Sequence, residues 1–287
     1  MTKGTATIGV PINPAELEAI EIRLLLDAIY QRSGYDFRSY ALASVERRCR
    51  QFLSLSGCAT IAEMIPKVLH DEEFLSRLAR YFSVSVTEMF RDPSVYRALR
   101  EHVVPLLRTW PFFKVWHAGC ATGEEVYSLA ILLREEGICD RATIYATDFN
   151  DAVLQQAKEG IFPLASVQDA TRNYLAAGGK GSLADYYHAR YDAVAMDRTL
   201  RERVTFANHN LATDSAFGEM HLIFCRNVLI YFDQALQARV LRLFTESLVH
   251  GGFLCIGTKE SLRFSAVSHA FEPVDEAARI YKKRAEA

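Results

Sequence analysis

FFKVWHAGCATGEEVYSLAILL (residues 112–133) passes from an apolar, strand-like run to a helix-like one across two glycines, Gly119 and Gly123. A strand–turn–helix of this kind opens the α/β folds that bind ligands at the carboxyl ends of parallel strands. The G-x-x-x-G spacing is neither the dinucleotide fingerprint nor the phosphate loop. Glu124 and Glu125 fall in the first helical turn, where backbone N–H groups and the helix dipole favour negative charge. A phosphate there would meet a filled site and repulsion as well. The loop therefore suits a nucleoside that carries positive charge instead of phosphate, and S-adenosylmethionine, with its sulfonium and ammonium groups, fits that description. A plain helix-capping role for the two glutamates is the alternative. Asp148 ends the run ATIYATD one strand–helix–strand unit later, where an acidic residue takes both ribose hydroxyls. It is also placed to cap a helix starting near Asp151, and the two roles are compatible.

Outward from this stretch, ATIYATD, HLIFCRN and GGFLCIG repeat the short apolar run ending in small or polar residues. Helical patterns lie between them. VYSLAILL places Val126, Leu129, Ala130 and Leu133 on one face. DQALQARVLRLFTESLVHGG starts at a capping Asp233, aligns Leu236, Val240, Leu243 and Phe244, and is expected to end at Gly251. Alternating strands and helices predict an α/β, doubly wound, mostly parallel sheet, Rossmann-like in layout. Residues 161–206 break the rhythm, and DYYHARYDAVAMDRTLRERVTF predicts a small inserted antiparallel β subdomain.

Before residue 80 the pattern is helical throughout. LEAIEIRLLLDAIYQRSG carries Leu17, Ile20, Leu24 and Ile29 at helical spacing and stops at Gly34. YALASVERRCRQFLSLSG puts Leu42, Val45, Cys49 and Phe52 on one face and stops at Gly57. Thr60 to Glu63 fits a capping box. The expected organisation is a helical domain over 1–80, a linker over 81–111 and an α/β domain over 112–287.

The chain has 287 residues, half of them apolar, and a formal net charge of −2. That balance offers no broad attraction to nucleic acid or anionic membrane. Six cysteines are scattered singly, without a CxxC pair or a histidine at zinc spacing, so neither a disulfide framework nor a metal site is expected. No apolar run approaches the roughly 20 residues that span a bilayer, and the N-terminus lacks the pattern of a signal peptide. A cytoplasmic monomer, not inserted in the membrane, is expected.

SVTEMFRDP (85–93), WHAGCATGEEVYSLA (116–130), ATDFN (146–150), IFCRNVLIYFD (223–233) and GGFLCIGTKESL (251–262) resemble, in order, the signature segments of the chemotaxis receptor methyltransferases, the CheR family. The helical region resembles that family's N-terminal domain. The resemblance implies S-adenosylmethionine-dependent methylation of glutamate side chains on the cytoplasmic helices of chemoreceptors, with S-adenosylhomocysteine as product. It implies cofactor contacts from Ser85, Thr87, Arg91, Glu125, Asp148, Asn210, Leu211, Cys225 and Arg226. Tyr231 matches a tyrosine near the transferred methyl, so Arg91 and Tyr231 are the catalytic candidates. At position 85 the family often has Asn.

Each residue has a structural alternative. Ser85 and Thr87 are placed to cap a helix beginning near Glu88. Arg91 and Asp92 are placed to form a surface ion pair, and Tyr231 to fill core. A glutamate with a pKa of roughly 4.3 is already ionised at neutral pH, so the reaction needs no general base. In residues 30–55 five arginines face Asp36 and Glu46, a net +3. Arg47, Arg48 and Arg50 share one predicted helix and are the candidates for recognising an acidic receptor. A nucleic-acid methyltransferase is disfavoured because FCRN stands where base-methylating enzymes carry Asn/Asp-Pro-Pro-aromatic. A catalytically silent docking module is the remaining alternative. GGKGS (178–182) does not cleanly match the loop by which some relatives tether to a receptor's C-terminus, and untethered action is expected.

Overall fold

A computed structural model describes residues 12–83 and 87–285. The chain divides into two compact units, the first ending at Ser83.

The first unit is helical. Helix α1 (Pro14–Ser33) is capped by Asn13, whose Oδ1 accepts from Ala15 N at 2.7 Å, and closes at Gly34 in the left-handed region (φ 77°). It buries Ile22, Leu25, Leu26 and Ile29, whereas Leu17, Ile20 and Leu24 are exposed. Only Ile29 of the expected face is inside. Helix α2 (Leu42–Ser56) buries Val45, Arg48, Cys49 and Phe52 and leaves Leu42 exposed. After it come α3 (Met64–His70) and α4 (Glu72–Phe82). Thr60 and Glu63 do interlock, Glu63 N donating to Thr60 Oγ1 and Glu63 accepting from Ala59 N, but as a turn just before α3. Phe37 against Phe82 and Phe52 against Phe74, with centroids 5.2 and 5.5 Å apart, fill the space between the helices.

Arg48 corrects the expected arginine stripe. It is 4% exposed, and its guanidinium donates to the carbonyl of Phe82, the last residue of α4. A cation at a helix C-terminus satisfies an orphan carbonyl and complements the dipole. Arg50 is exposed but paired with Glu18 at 2.6 Å and Glu46 at 3.5 Å. Arg38 is held by Asp36 and Asp27. Arg47 is the member of the trio on the open surface without such pairing among the described residues.

The second unit begins, after the turn at 87–92, with α5 (Pro93–Ala98), a π-helical turn (Leu99–Val103) and α6 (Val104–Leu107). The main elements then follow in order: β1 (Phe113–Ala118), α7 (Glu124–Glu135), β2 (Ala142–Asp148) and α8 (Asp151–Glu159). Next come β3 (Ile161–Pro163), α9 (Val167–Ala176), β4 (Tyr187–Arg190), β5 (Ala193–Met196) and β6 (Val204–Asn208). The chain finishes with β7 (Met220–Cys225), α10 (Gln234–Ser247), β8 (Leu248–Ile256), β9 (Phe271–Asp275) and β10 (Ile280–Lys283).

Seven strands form one sheet in the order β6-β2-β1-β7-β8-β10-β9, parallel from β6 to β8, with β10 antiparallel to both of its neighbours. Both faces are covered, which explains why β1 is buried at every position except Lys114. Helix α7 is buried all round from Val126 to Leu133, not on one face alone. The inserted three-stranded sheet, β3-β5-β4, is antiparallel as expected, but Val204–Asn208 pairs with β2 as an edge of the main sheet. Helix α10 buries the four expected residues and ends at Ser247, four residues before Gly251, which lies inside β8. A register shift in the β7–β8 pairing between Met220 and Leu222 accommodates that glycine at φ 75°. Among the described residues no helix is long and apolar enough to cross a membrane.

Candidate functional site

The loop from β1 to α7 bends sharply through Gly119 (φ 76°), Ala121 (φ 48°) and Gly123 (φ 93°). Both glycines are also sterically required. A Cβ at Gly119 would lie 2.7 Å from Val228 Cγ2, and one at Gly123 would lie 2.8 Å from Ala157 Cβ. Gly119 N and Cys120 N donate to Thr147 O at 2.8 and 2.9 Å, fastening the loop to the end of β2.

At that end Asp148 accepts from Ala121 N (3.1 Å) through Oδ2 and from Asn150 N (3.0 Å) through Oδ1. Asn150, not Asp148, caps α8, accepting from Ala152 N. The backbone N–H of Phe149 also acts on this carboxylate, so three of its about four acceptor sites face the backbone. Burial raises its carboxyl above the ordinary aspartate range, against these N–H groups.

The two glutamates have separate partners. Thr122 Oγ1 donates to Glu124 at 2.6 Å. Glu125 accepts from Arg226, whose side chain is wholly buried at the end of β7 and also donates to Asp92 Oδ2 (2.6 Å) and to Arg91 O (3.0 Å). One guanidinium thus joins the start of α7, the end of β7 and the turn at 91–92. Burial pushes the Glu125 carboxyl up, while Arg226 and Arg91 pull it down. Asp92 is taken by Arg226, so the expected Arg91–Asp92 pair is not what holds this turn. The turn has Phe90 and Asp92 at positive φ (53° and 54°), and Phe90 N donates to Ser128 Oγ at 2.9 Å. No helix starts near Glu88, so Thr87 does not cap one. Ser85 lies outside the described residues.

On the other side of Asp148, Asn210 forms a turn of its own. Its Oδ1 accepts from Ala212 N and its N–H donates to Asp214 Oδ2, both at 2.9 Å. Leu211 beside it is buried. Cys225 ends β7, its thiol pushed well up by burial and so protonated. His117, buried at the end of β1, is driven to about 3 by burial and by Arg226 and stays neutral. Tyr231 closes a 3₁₀ turn, Leu229–Tyr231, and is half-buried.

Two participants, Thr122 and Glu260, escaped the sequence reading, and Asp92 was read only as a partner of Arg91. Thr122 stands inside a quoted motif, two residues before the Glu124 that it binds. Glu260 is 5% exposed, and its carboxylate accepts from Gly257 N, Asn227 N and Ile230 N, joining the turns that follow β7 and β8. Its place in the KES of GGFLCIGTKESL was the available signal.

The elements gather Arg91, Glu125, Asp148, Asn210, Leu211, Cys225, Arg226 and Tyr231 onto turns or strand ends at the carboxyl edge of the parallel sheet, while no contact fixes Thr87 there. Acceptors at Asp148 and carboxylates at the α7 start match a ribose and a cationic amino-acid end, so the donor set fits S-adenosylmethionine. Fold and site together define an α/β domain with a ligand site at the carboxyl ends of its parallel strands. Residues 85–279 match the CheR methyltransferase SAM binding domain and residues 20–83 the CheR methyltransferase all-alpha domain. The chain belongs to the CheR methyltransferase family, and its cofactor is S-adenosylmethionine. It is 53% identical over 264 residues to the "Putative methyltransferase Cher3" of Pseudomonas putida, covering 92% of this chain and 97% of that protein. It is 30% identical over 256 residues to "Chemotaxis protein methyltransferase 2" of Vibrio cholerae, covering 85% and 86% of the two chains. The corresponding protein of Listeria monocytogenes is 29% identical over 233 residues, covering 80% of this chain and 85% of the relative. The chain is an S-adenosylmethionine-dependent methyltransferase of the chemotaxis type.

Proposed function

We propose that the protein methylates glutamate side chains of chemoreceptor cytoplasmic helices. The observation that carries this reading is the buried Arg226 guanidinium joining Glu125 to Asp92 after β7, at the same strand-end edge as Asp148 after β2, which fits a cationic nucleoside at a site where no base is needed. Asp148 would take the ribose, Asn210 and Leu211 would flank the adenine, and Thr87, Glu125 and Arg91 would meet the amino-acid end, with Cys225 and Arg226 beneath. The cofactor supplies an electrophilic methyl on sulfur. Displacement of that methyl by a glutamate oxygen, with the C–S electron pair going to sulfur, would give the methyl ester and S-adenosylhomocysteine. Arg91 and Tyr231 orient the incoming carboxylate without gripping the attacking lone pair, and the protonated Cys225 and neutral His117 add no competing charge. Charge vanishes along this path, so a site that positions the partners but solvates them weakly favours it.

The test is incubation with labelled S-adenosylmethionine and receptor cytoplasmic fragments, followed by alkali. Base-labile methyl ester on the fragment is expected, and its absence would leave a silent docking module. Tyr231→Phe should lower kcat while cofactor affinity stays near wild type, because the hydroxyl is assigned to the incoming carboxylate. Poor cofactor binding with normal turnover at saturation would contradict the assignment.

Receptor recognition is assigned to the exposed Arg47 and Arg50. Arg47→Ala should raise the receptor KM more than Arg50→Ala, since Arg50 already has Glu18 and Glu46. Arg48→Ala should act differently, destabilising the helical unit by about 1–3 kcal/mol as the Phe82 carbonyl loses a charged partner. Thermal unfolding beside receptor kinetics at low and high salt separates the two. Equal KM effects from Arg47→Ala and Arg48→Ala, with unchanged melting, would refute this division.

A further inference from the structure

Beyond Tyr231, the 3₁₀ turn Leu229–Tyr231, the first turns of α10 and residues 259–266 enclose a groove of about 450 Å3. Leu229 and Leu241 are buried in its floor, while Ile230 is 40% exposed and Phe264 is 94% exposed. Phe264 and Ile230 together put two exposed apolar side chains on the lining of a groove that is half apolar and half polar, the composition of an interaction surface. The charge at the mouth has one sign. Glu260 lines the groove, but its carboxylate is turned inward onto three backbone N–H groups. Lys259 is exposed on the lining, and Arg263, next to Phe264, is exposed as well.

We propose that this groove docks the protein substrate, as an acidic amphipathic segment. It would lay an apolar side chain against Ile230 and Phe264 and set carboxylates against Lys259 and Arg263. Two features select this occupant: the cationic mouth demands an acidic partner, and the groove shares the Leu229–Tyr231 turn with the candidate catalytic residue. A segment seated beside Ile230 presents its neighbouring carboxylate to Tyr231, one residue further along the turn. On a helix, apolar and acidic residues three or four apart lie roughly 5–6 Å from each other, so one face can offer both to this turn. The inference rests on the glutamate-methylation reading and adds the surface that selects the glutamate.

The test uses the full chain, a receptor cytoplasmic fragment and labelled S-adenosylmethionine, with Phe264→Ala, Phe264→Trp and Lys259→Glu. Phe264→Ala should raise the receptor KM by roughly tenfold, the usual loss for an aromatic anchor, and Phe264→Trp should restore it. Lys259→Glu should raise KM most at low salt, where charge is least screened. In all three, kcat and S-adenosylhomocysteine affinity should match wild type. Unchanged KM in Phe264→Ala and Lys259→Glu overturns the groove assignment alone. Unchanged KM together with a shift in sedimentation gives the groove to a second copy of this chain and overturns it too. Failure of the wild-type protein to form methyl ester overturns the function reading, and the groove assignment with it.

Discussion

Replacing Arg226 by methionine should cost this protein more than any other single change at the site. Its side chain is wholly buried between Glu125 and Asp92 and also satisfies the carbonyl of Arg91. Removing the cation leaves the mostly buried Glu125 carboxylate stranded in low dielectric, at a cost of about 3–5 kcal/mol, while the partly exposed Asp92 turns to water. For a unit of this size the melting temperature should fall by roughly 6–20 °C. Glu125 and Asp92, no longer bridged, would repel, and the turn carrying Arg91 would move away from the start of α7. Cofactor binding should become undetectable by calorimetry. The double variant Arg226→Met, Glu125→Gln should recover most of the melting temperature, because the stranded carboxylate has become a neutral amide. If the double variant melts no higher than the single one, the loss comes from packing and not from charge.

Asp148→Ala should weaken S-adenosylmethionine and S-adenosylhomocysteine alike. Both present the same ribose, and hydrogen bonds to a charged acceptor are worth roughly 1.5–3 kcal/mol each. At least a tenfold loss is expected for both ligands, measured by calorimetry. The carboxyl of Asp148 is raised by burial, so it takes up a proton at higher pH than a free aspartate. Its protonated form offers the ribose one fewer charged acceptor. Wild-type affinity should therefore fall as the pH is lowered through the raised value, beginning above the ordinary carboxylate range. Asp148→Ala should flatten that decline. Equal slopes in the two proteins would assign the proton to Glu125 or another group.

The main sheet and its first turn were legible because their signals are local. Short apolar runs ended by small residues and alternating with helical patterns fit buried parallel strands, and Gly119 and Gly123 are needed where two chain segments nearly touch. Phase was harder to read. Helix α1 has apolar residues at Leu17, Ile20, Ile22, Leu24, Leu25, Leu26 and Ile29, so two stripes share nearly equal claims, and only packing decides for Ile22, Leu25, Leu26 and Ile29. The end of α10 was hidden because LVHGG continues an apolar pattern into two glycines, which look like a helix stop and serve instead as a bulge in β8. Arg48 defeated charge counting, because nothing local says that its target is the carbonyl of Phe82, 34 residues away. The same distance effect hid the partners of Arg226. The sequence offered Glu125 and Arg226 as separate candidates, while only the fold showed that Glu125 spends part of its charge on the protein itself.

Glu260 has a consequence in time as well as in space. Its one carboxylate holds amides from two turns that are about 30 residues apart in sequence, Asn227 and Ile230 on one side and Gly257 on the other. None of these N–H groups can reach solvent without releasing the same side chain. In amide exchange they should open as one event with a shared rate, rather than as two independently fraying loops.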